Sequence, residues 1–369
     1  MQPSRSGAAN GDVCACPEVS VVVPARNEEA CLATCLQSLV EQEGIAFEII
    51  VVDDGSSDRT AEIARSFRNV KVIEAGPLPA DWSGKSNAAY TGAQHARGQW
   101  WLLFTDADTI HLRGSLARSV EEAKRHGAEM LSYSPAQELR GFTQRAVMPV
   151  IFAQLAANYR PREVCDPKSP AAAANGQYLL ITREAYEAVG GHRAVAGSLL
   201  EDVELARAVK RSGRRIRFRF GGDAVRTRMY RSFRQLVEGW TKNFALLFKA
   251  PAQLALIRLL EFVAIVGGLS LLGLALSLGE SRLALVIALV VALVYLNFLR
   301  RIRKAHAEAA SAALAIFGLP IFSYLLLRSK LYYKWRGSVT WKGRRYSTAS
   351  TARKKLEVKA RPSGERWST

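Results

Sequence analysis

The sequence has few of the residues that build disulfide scaffolds and zinc centres. Its 369 residues include five cysteines, an odd number, and five histidines. Cys31 and Cys35 lie four positions apart on a predicted helix, a spacing that favours burial over bridging, and no zinc-ligand spacing is present. These absences argue against a secreted disulfide-rich domain and against a zinc domain. We therefore expect reduced thiols in a cytosolic domain.

Two further absences concern the amino-terminal part of the chain. The segment Met1 to Asn10 has no apolar core, so we expect no signal peptide and interpret residues 1–17 as a disordered leader. The first predicted strand, Val19 to Val23, is followed by Pro24-Ala25-Arg26-Asn27-Glu28 and not by a Gly-x-Gly-x-x-Gly turn. A dinucleotide-binding fold of the usual kind is therefore excluded. A bound nucleotide would have to be held by side chains and carboxylates.

Acidic residues are outnumbered by basic ones, 33 against 51, which gives a net charge of +18. Residues 211–250 contain 11 Lys or Arg against 2 Asp or Glu, and residues 300–369 contain 17 against 3. These two stretches carry +9 and +14, which leaves about −5 for the rest. Because the basic stretches flank apolar segments, the pattern suits an anionic membrane surface. Nucleic acid is the alternative partner, but no nucleic-acid motif is present and we expect none to bind.

The first half of the chain alternates apolar, strand-like runs with helical patterns. The runs are Val19 to Val23, Phe47 to Val52, Val70 to Ile73 and Trp100 to Phe104. Strands that alternate with helices predict a mostly parallel sheet flanked by helices and joined by right-handed crossovers. The fold class predicted from the sequence is therefore α/β.

Two carboxylates follow the run Trp100 to Phe104, in the tetrapeptide Thr105-Asp106-Ala107-Asp108. In open α/β sheets, ligands bind in the crevice beyond the carboxyl ends of the strands. Two acids one residue apart at that edge can hold a divalent metal, and the metal can hold a diphosphate. A simple strand-end turn is the alternative, since Asp is common in turns.

Two further acidic clusters stand at element edges. Asp53-Asp54-Gly55-Ser56 follows the second strand, and Glu201-Asp202 opens a later helix. The helix dipole favours acids at a helix amino terminus, so capping is the alternative for the second cluster. The order of the three clusters, each at an edge, is hard to explain as three separate turns.

Three apolar segments follow and predict a membrane region of two or three helices over residues 251–329. They are Leu254 to Leu278, Leu283 to Leu299 and Ala309 to Leu327. Each is close to the ~20 residues that cross ~30 Å of hydrocarbon. The first two form a hairpin, and the basic run Arg300 to Lys304 places its far end in the cytosol.

Two apolar stretches leave alternatives open. If the third segment spans the membrane, the basic tail of residues 330–369 lies outside, against the positive-inside rule. If it re-enters at Gly318-Leu319-Pro320, the tail stays in the cytosol. The stretch Phe142 to Ala157 is too short to span and is either a helix at the membrane interface or a helix of the buried core.

The ordered motifs resemble those of the family 2 glycosyltransferases, which have the GT-A fold. The matching motifs are Pro24-x-x-Asn27-Glu28, Asp53-Asp54-Gly55-Ser56, Asp106-Ala107-Asp108 and Glu201-Asp202, within residues 18–245. The resemblance implies a GT-A nucleotide-sugar-binding domain over residues 18–250, followed by transmembrane helices.

Finer motifs resemble membrane-bound bacterial members that glycosylate carotenoids, of the hydroxychlorobactene and diaponeurosporenoate type. These motifs are Leu78-Pro79-x-x-Trp82-x-Gly84-Lys85, Asn175-Gly176-Gln177, Gly190-Gly191-His192 and Met229-Tyr230 followed by Gly239-Trp240. Hopanoid-associated glycosyltransferases share part of this pattern.

The resemblance implies a role for each motif residue. Asp108 and Asp106 would hold Mg²⁺ or Mn²⁺, and Asp202 would be the general base. The residues expected to bind the nucleotide sugar are Pro24, Ala25, Asn27, Glu28, Asp53, Asp54, Lys85, Asp106 and Ala107. The residues expected on the acceptor side are Glu201, His192 and Trp240. The alternatives are a solvated lysine at position 85 and an interfacial anchor at position 240.

The implied function is an inverting glycosyltransferase of the bacterial inner membrane. It would move glucose from a UDP-linked donor to a hydroxyl or carboxyl of a lipid such as a carotenoid, with the catalytic domain facing the cytoplasm. Processive members carry Gln-x-x-Arg-Trp, whereas here Gly239 precedes Trp240, which favours transfer of one sugar. The alternatives are a polyprenyl-phosphate, sphingolipid or hopanoid glycosyltransferase, an inactive membrane scaffold and a polysaccharide export component.

Overall fold

The structure is a computed structural model, and it describes residues 16–336, 338–341 and 343–347. Most of the predicted leader and of the predicted basic tail lies outside these residues. The described strands, in chain order, are β1 Val19–Ala25, β2 Phe47–Asp53, β3 Val70–Glu74, β4 Trp101–Phe104, β5 Thr109–His111, β6 Met130–Ser134, β7 Ala136–Gln137, β8 Leu179–Thr182, β9 Ile216–Phe220, β10 Val225–Thr227, β11 Ser338–Trp341 and β12 Arg344–Ser347.

The described α-helices connect and flank these strands. In chain order they are α1 Leu32–Val40, α2 Thr60–Arg65, α3 Gly84–Gln94, α4 Ser115–Arg125, α5 Gly141–Asn158, α6 Pro161–Cys165, α7 Arg183–Ala188, α8 Gly191–Ala194, α9 Glu201–Arg211, α10 Phe233–Leu247, α11 Pro251–Ser277, α12 Ser281–Ile302 and α13 Ala309–Leu331. A 3₁₀ turn at Arg303–Ala305 links α12 to α13, and a π-helical turn at Tyr332–Arg336 follows α13.

The main sheet has seven strands in the order β3-β2-β1-β4-β8-β6-β9. All neighbours are parallel except β8, which runs antiparallel to both β4 and β6. The predicted mostly parallel α/β sheet is therefore confirmed. Since β1, β2 and β4 are parallel neighbours, their carboxyl ends meet at one edge of the sheet.

Strands β1 and β2 are apolar along their length because both faces of the sheet are covered. Successive side chains of a strand point to opposite faces. Val21 and Val51 accordingly lie in the core on one face, whereas Val22 and Val52 lie in the core on the other. Burial on both faces explains why these strands form continuous apolar runs rather than alternating patterns.

A small sheet of order β5-β10-β7 lies beyond the carboxyl end of β4. Strand β5 begins directly after Asp108 and pairs antiparallel with β10. The Thr227 hydroxyl, on β10, donates a hydrogen bond of 3.1 Å to the Asp108 carbonyl oxygen. These strands of two or three residues are too short to leave a periodic pattern in the sequence, yet they hold the acidic loop in place.

Three carboxyl-terminal helices, α11, α12 and α13, are long and apolar enough to cross a membrane. Helices α11 and α12 form the predicted hairpin around Gly279, and large side chains such as Leu276 and Leu293 point outward and are exposed. The third helix is continuous through Pro320. It is far more buried within the protein than the other two.

Helix α13 packs against α5 and contacts the α/β domain at both of its ends. A Cβ atom at Gly318 would lie 2.1 Å from the Ala146 carbonyl oxygen, so the two helix backbones touch there. Before α13, His306 stacks on Phe220 of β9 with ring centroids 4.1 Å apart. At the other end, Ser329 donates a hydrogen bond of 2.7 Å to the Thr241 carbonyl oxygen on α10.

Candidate active site

The carboxyl ends of β1, β2 and β4 open into a cleft with a volume of about 490 Å³. The acidic clusters at Asp54, at Asp106 and Asp108, and at Glu201 and Asp202 all line it, although they come from distant parts of the chain. The predicted site residues that line the cleft are Pro24, Ala25, Asn27, Glu28, Asp54, Lys85, Asp106, Ala107, Asp108, Glu201 and Asp202. Asp53, His192 and Trp240 do not line it.

Asp53 and Asn27 hold two loops of the cleft together. Asp53 is buried, and its Oδ1 accepts a hydrogen bond of 2.5 Å from the Ser56 hydroxyl, which shapes the turn after β2. Asn27 adopts a left-handed backbone conformation with φ of 52°, which asparagine tolerates well. Its Oδ1 accepts a hydrogen bond of 2.8 Å from the Ser57 backbone N–H. The loops after β1 and β2 are therefore fixed to each other.

Lys85 stands near the amino terminus of α3 between two carboxylates. Its Nζ lies 2.7 Å from Asp106 Oδ1 and 3.0 Å from Glu201 Oε1. Burial lowers the pKa of Lys85, but Asp106 and Glu201 outweigh it and hold that pKa well above its ordinary value. The ammonium group is thus an ion-paired cation at the centre of the cleft.

Asp202 lies at the amino terminus of α9 with both carboxylate oxygens held. Oδ2 accepts a hydrogen bond of 2.8 Å from the Gly176 N–H, and Oδ1 accepts one of 2.8 Å from the Val203 N–H. Burial and, secondly, the Glu201 carboxylate raise the pKa of Asp202 to about 6. Such a carboxylate is oriented and titrates close to neutral pH, as a general base requires.

Glu201 is buried beside Asp202 and remains the more acidic of the two. Burial raises the pKa of Glu201, but the nearby cations Lys85 and Lys242 outweigh burial and lower that pKa below its usual value. A Cβ atom at Gly176 would lie 2.7 Å from Lys85 Nζ. The glycine therefore leaves the space in which Lys85 reaches both carboxylates.

The two carboxylates of the Asp106-Ala107-Asp108 loop are a suitable donor set for Mg²⁺ or Mn²⁺. Carboxylate oxygens are hard ligands, and Mg²⁺ is usually held by one or two of them together with water and substrate phosphates. No cluster of three or more Asp, Glu, His or Cys side chains suited to a metal occurs in the described part of the chain. Two carboxylates alone suit a metal whose remaining ligands are water and the phosphates of a substrate.

Cys31 also lines the cleft, near Glu28. Burial, together with the Glu28 carboxylate, raises the pKa of this thiol well above its usual value. The thiol thus stays protonated at neutral pH, and since the thiolate is the nucleophilic form, Cys31 is a poor nucleophile.

His192 lies beneath the cleft in the protein core. It is 3% exposed, its Nδ1 is 3.0 Å from the Tyr186 hydroxyl, and its ring contacts Phe104 edge-on. Burial lowers the pKa of His192 to about 4. The neutral imidazole lines a small cavity together with Lys85 and Glu201.

Trp240 is also buried, at 3% exposure, between helices and away from the cleft surface. It stacks on Phe244 with ring centroids 4.8 Å apart and lies near Tyr230 and Phe152. Its neighbour Gly239 does line the cleft, and a Cβ atom there would lie 2.4 Å from the Tyr230 hydroxyl oxygen. An arginine at position 239 would therefore displace Tyr230.

The structure adds basic residues to the site that motif reasoning missed. Arg228 and Arg231 lie between β10 and α10, and Lys242 lies on α10; all three line the cleft. Burial lowers the pKa of Lys242, while Glu201 opposes that effect. Helical spacing could have found Lys242, which is three positions from Gly239 and so on the same face of α10.

Arg344, on β12, ion-pairs with Asp54, and Tyr346 of the same strand lines the cleft. The two partners are 290 positions apart in the chain. No local sequence signal could have indicated this contact, because the basic tail offers many equivalent arginines.

A family model, known protein sequences and solved structures all resemble this chain. Residues 20–190 match the family model of Glycosyl transferase family 2. The chain is 27% identical over 339 residues to the 4,4'-diaponeurosporenoate glycosyltransferase of Staphylococcus aureus strain USA300, covering 89% of this chain and 88% of that protein. The solved mannosyltransferase PcManGT of Pyrobaculum calidifontis, in complex with GDP-Man and Mn²⁺, is similar in fold, with a TM-score of 0.51 and 16% identity over 87% of this chain and 88% of that one.

Proposed function

Because the chain carries a glycosyl transferase family 2 domain with the GT-A fold, we propose that it transfers a single glucose from a UDP-linked donor to a membrane lipid, with inversion. The family and fold predicted from the sequence are confirmed. The observation that carries the proposal is that Asp54, the Asp106-Asp108 loop and Asp202 line one cleft.

The donor nucleotide lies along the strand ends in this proposal. Its base faces Asp54, with Pro24, Ala25 and Glu28 forming the surrounding wall. Asp108, with Asp106, would hold Mg²⁺ or Mn²⁺, which when bound neutralises the diphosphate and makes it a better leaving group. The Lys85 ammonium, held 2.7 Å from Asp106, adds a fixed positive charge beside the leaving group.

When the acceptor is a hydroxyl, Asp202 takes its proton in this proposal, whereas a carboxyl acceptor is already ionised at neutral pH and attacks without a base. Its carboxylate is held by two backbone N–H groups, and its raised pKa of about 6 leaves it ionised and moderately basic at neutral pH. A single base and a displaced nucleotide suffice for one in-line displacement with inversion at the anomeric carbon. The tight contact of Gly239 with Tyr230 supports transfer of one sugar and not processive synthesis.

A carotenoid hydroxyl or carboxyl is the proposed acceptor. The relative in S. aureus has the carotenoid diaponeurosporenoate in its name, and the match covers nearly all of both chains. Helix α10 supports a lipid acceptor, because it lines the cleft with Gly239 and Lys242 and packs its other face on α5 and α13. The acceptor end of the cleft is thus next to the apolar helices.

We place two helices across the bacterial inner membrane and the third along its cytoplasmic surface. Glu261 of α11 lies 2.7 Å from Arg258 and 2.5 Å from Arg301 of α12, so the cytoplasmic end of the hairpin carries a charged cluster. The contacts of His306 and Ser329 with the α/β domain, one before α13 and one near its carboxyl end, support placing α13 along the surface and not across the bilayer. The basic tail then stays in the cytoplasm, in accord with the positive-inside rule.

The test is nucleotide release in detergent from UDP-glucose, Mn²⁺ or Mg²⁺ and total lipid extract. Wild type should release UDP in a lipid-dependent way, and Asp108→Ala and Asp202→Asn should lose at least about a hundredfold in rate. Asp223→Asn, an exposed aspartate away from the cleft, is the matched control and should keep its activity. If no UDP-, GDP- or dTDP-sugar is bound or turned over, the catalytic proposal fails and a membrane scaffold takes its place.

A further inference from the structure

The hairpin formed by β11 and β12, which follows α13 in the chain, contacts the end of the cleft that Asp54 lines. Arg344 Nη1 ion-pairs with Asp54 Oδ2, and Arg344 Nη2 donates a hydrogen bond of 3.3 Å to the Asp54 carbonyl oxygen. Tyr346, two residues later, lines the same cleft. A segment beyond all the apolar helices is therefore in contact with the loop that follows β2.

Asp54 has one carboxylate oxygen held and the other open. The side chain is only 6% exposed. Arg344 binds Oδ2, but no described residue donates a hydrogen bond to Oδ1, which is buried. A buried carboxylate oxygen is unfavourable until a donor group reaches it. Since Asp54 lines the cleft, the hydrogen-bond donor for Oδ1 comes from the molecule that occupies the cleft.

The backbone around Asp54 is fixed independently of Arg344. The Asp54 N–H donates a hydrogen bond of 2.9 Å to the Ala25 carbonyl oxygen, which joins the loops after β1 and β2. Arg26 donates to the Asp54 carbonyl oxygen from the other side. Arg344 is therefore the contact that determines the direction of the carboxylate, while the main chain is held without it.

We propose that the β11–β12 hairpin is part of the donor site and that Arg344 is a positioning residue for Asp54. Arg344 holds Oδ2 so that Oδ1 accepts a hydrogen bond from an N–H of the nucleobase, as uracil offers at N3. Tyr346 forms the adjoining wall of the pocket. This inference rests on the proposed function, because it assumes a nucleoside-diphosphate donor in the cleft.

The hairpin is also tied to the membrane-facing helices. Tyr333, in the π-helical turn before the hairpin, donates a hydrogen bond of 2.8 Å to the Lys242 carbonyl oxygen on α10. Ser329 of α13 donates to Thr241 of the same helix. The wall of the nucleotide pocket is therefore anchored to α10 and α13.

The experiment measures binding of UDP and of UMP, each with Mn²⁺, to the full-length protein in detergent by calorimetry. We expect Arg344→Ala to weaken the binding of UDP and of UMP by the same factor, about tenfold, because the lost contact concerns the uracil that both ligands share. Arg344→Lys should recover part of the affinity. Arg113→Ala, which removes an exposed arginine paired with Glu43, is the control and should bind like wild type.

Kinetics separate positioning from a general loss of structure. With Arg344→Ala, KM for the donor should rise about tenfold while kcat at saturating donor stays within about twofold. Unchanged UDP binding by Arg344→Ala overturns the inference alone and shows that the hairpin does not contribute to donor binding. Tighter UDP binding also overturns it and shows that the hairpin obstructs the nucleotide site. A wild-type protein that binds no UDP overturns the proposed function together with this inference.

Discussion

The pH dependence of turnover tests the proposed base directly. Burial and the Glu201 carboxylate raise the pKa of Asp202 to about 6. A general base acts in its ionised form, so activity should be present above this pKa and be lost as the pH falls through it. With a pKa of about 6, Asp202 is ionised in about nine-tenths of the molecules at pH 7 and in about one-tenth at pH 5. The rate should therefore fall about tenfold between these two pH values.

The variant Glu201→Gln changes this profile in a predictable direction. It removes the neighbouring negative charge that raises the pKa of Asp202 and leaves an amide oxygen to accept from Lys85. The acid limb should move to lower pH by about one unit, because a like charge at this distance disfavours ionisation. Burial is the larger cause of the raised pKa and remains in this variant. The midpoint of the acid limb should therefore stay above the ordinary pKa of an aspartate.

The assay is the initial rate of UDP release at saturating donor and Mn²⁺ with a lipid hydroxyl as acceptor, from pH 4.5 to 8.5. Glu204→Gln is the matched control, since Glu204 lies on the same helix and pairs with Arg207. It should reproduce the wild-type limb. A wild-type rate that is constant down to pH 5, or a limb that Glu201→Gln leaves in place, would refute the assignment of Asp202 as a base raised by Glu201.

Two other predictions concern the helices. Gly318→Val should destabilise the protein by about 1–3 kcal/mol, because its side chain would overlap the Ala146 carbonyl oxygen; the midpoint of thermal unfolding in detergent measures this. Gly273→Val, where a Cβ atom meets nothing within 4 Å, should leave the midpoint unchanged. In whole cells, a membrane-impermeant thiol reagent should label Glu280→Cys from outside and should not label Lys304→Cys; labelling of both from outside would contradict the proposed topology.

The acidic clusters could be predicted as one site because their positions depend on simple rules. Long apolar runs identified β1, β2 and β4, and parallel strands place their carboxyl ends at one edge. Asp54 follows β2 directly and Asp106 follows β4 after one residue, so assigning the strands predicts that the two side chains are close. The place of Asp202 in the cleft depends on how α9 packs against the sheet, and the sequence pattern does not define that packing.

Other features depend on tertiary contacts that leave no local pattern. The antiparallel direction of β8 is one of them. The pairing of Arg344 with Asp54 joins segments 290 positions apart and depends on the path of three intervening apolar helices. His192 belongs to a motif, but its burial under Lys85 could not be read from the sequence around it.

In helix α10, helical periodicity separates residues that are neighbours in the sequence motif. Trp240 and Lys242 are two positions apart, which is about 200° around a helix, so they cannot face the same way. The cleft face of α10 carries Gln235, Gly239 and Lys242, and the opposite face buries Trp240 and Phe244 against α5 and α13. The motif drew attention to Trp240 as an acceptor contact, whereas the helical spacing places Lys242 with the acidic cluster. Helix α10 therefore presents a polar face to the cleft and an aromatic face to the core formed with α5 and α13. These two faces place the proposed acceptor end of the cleft beside the apolar helices.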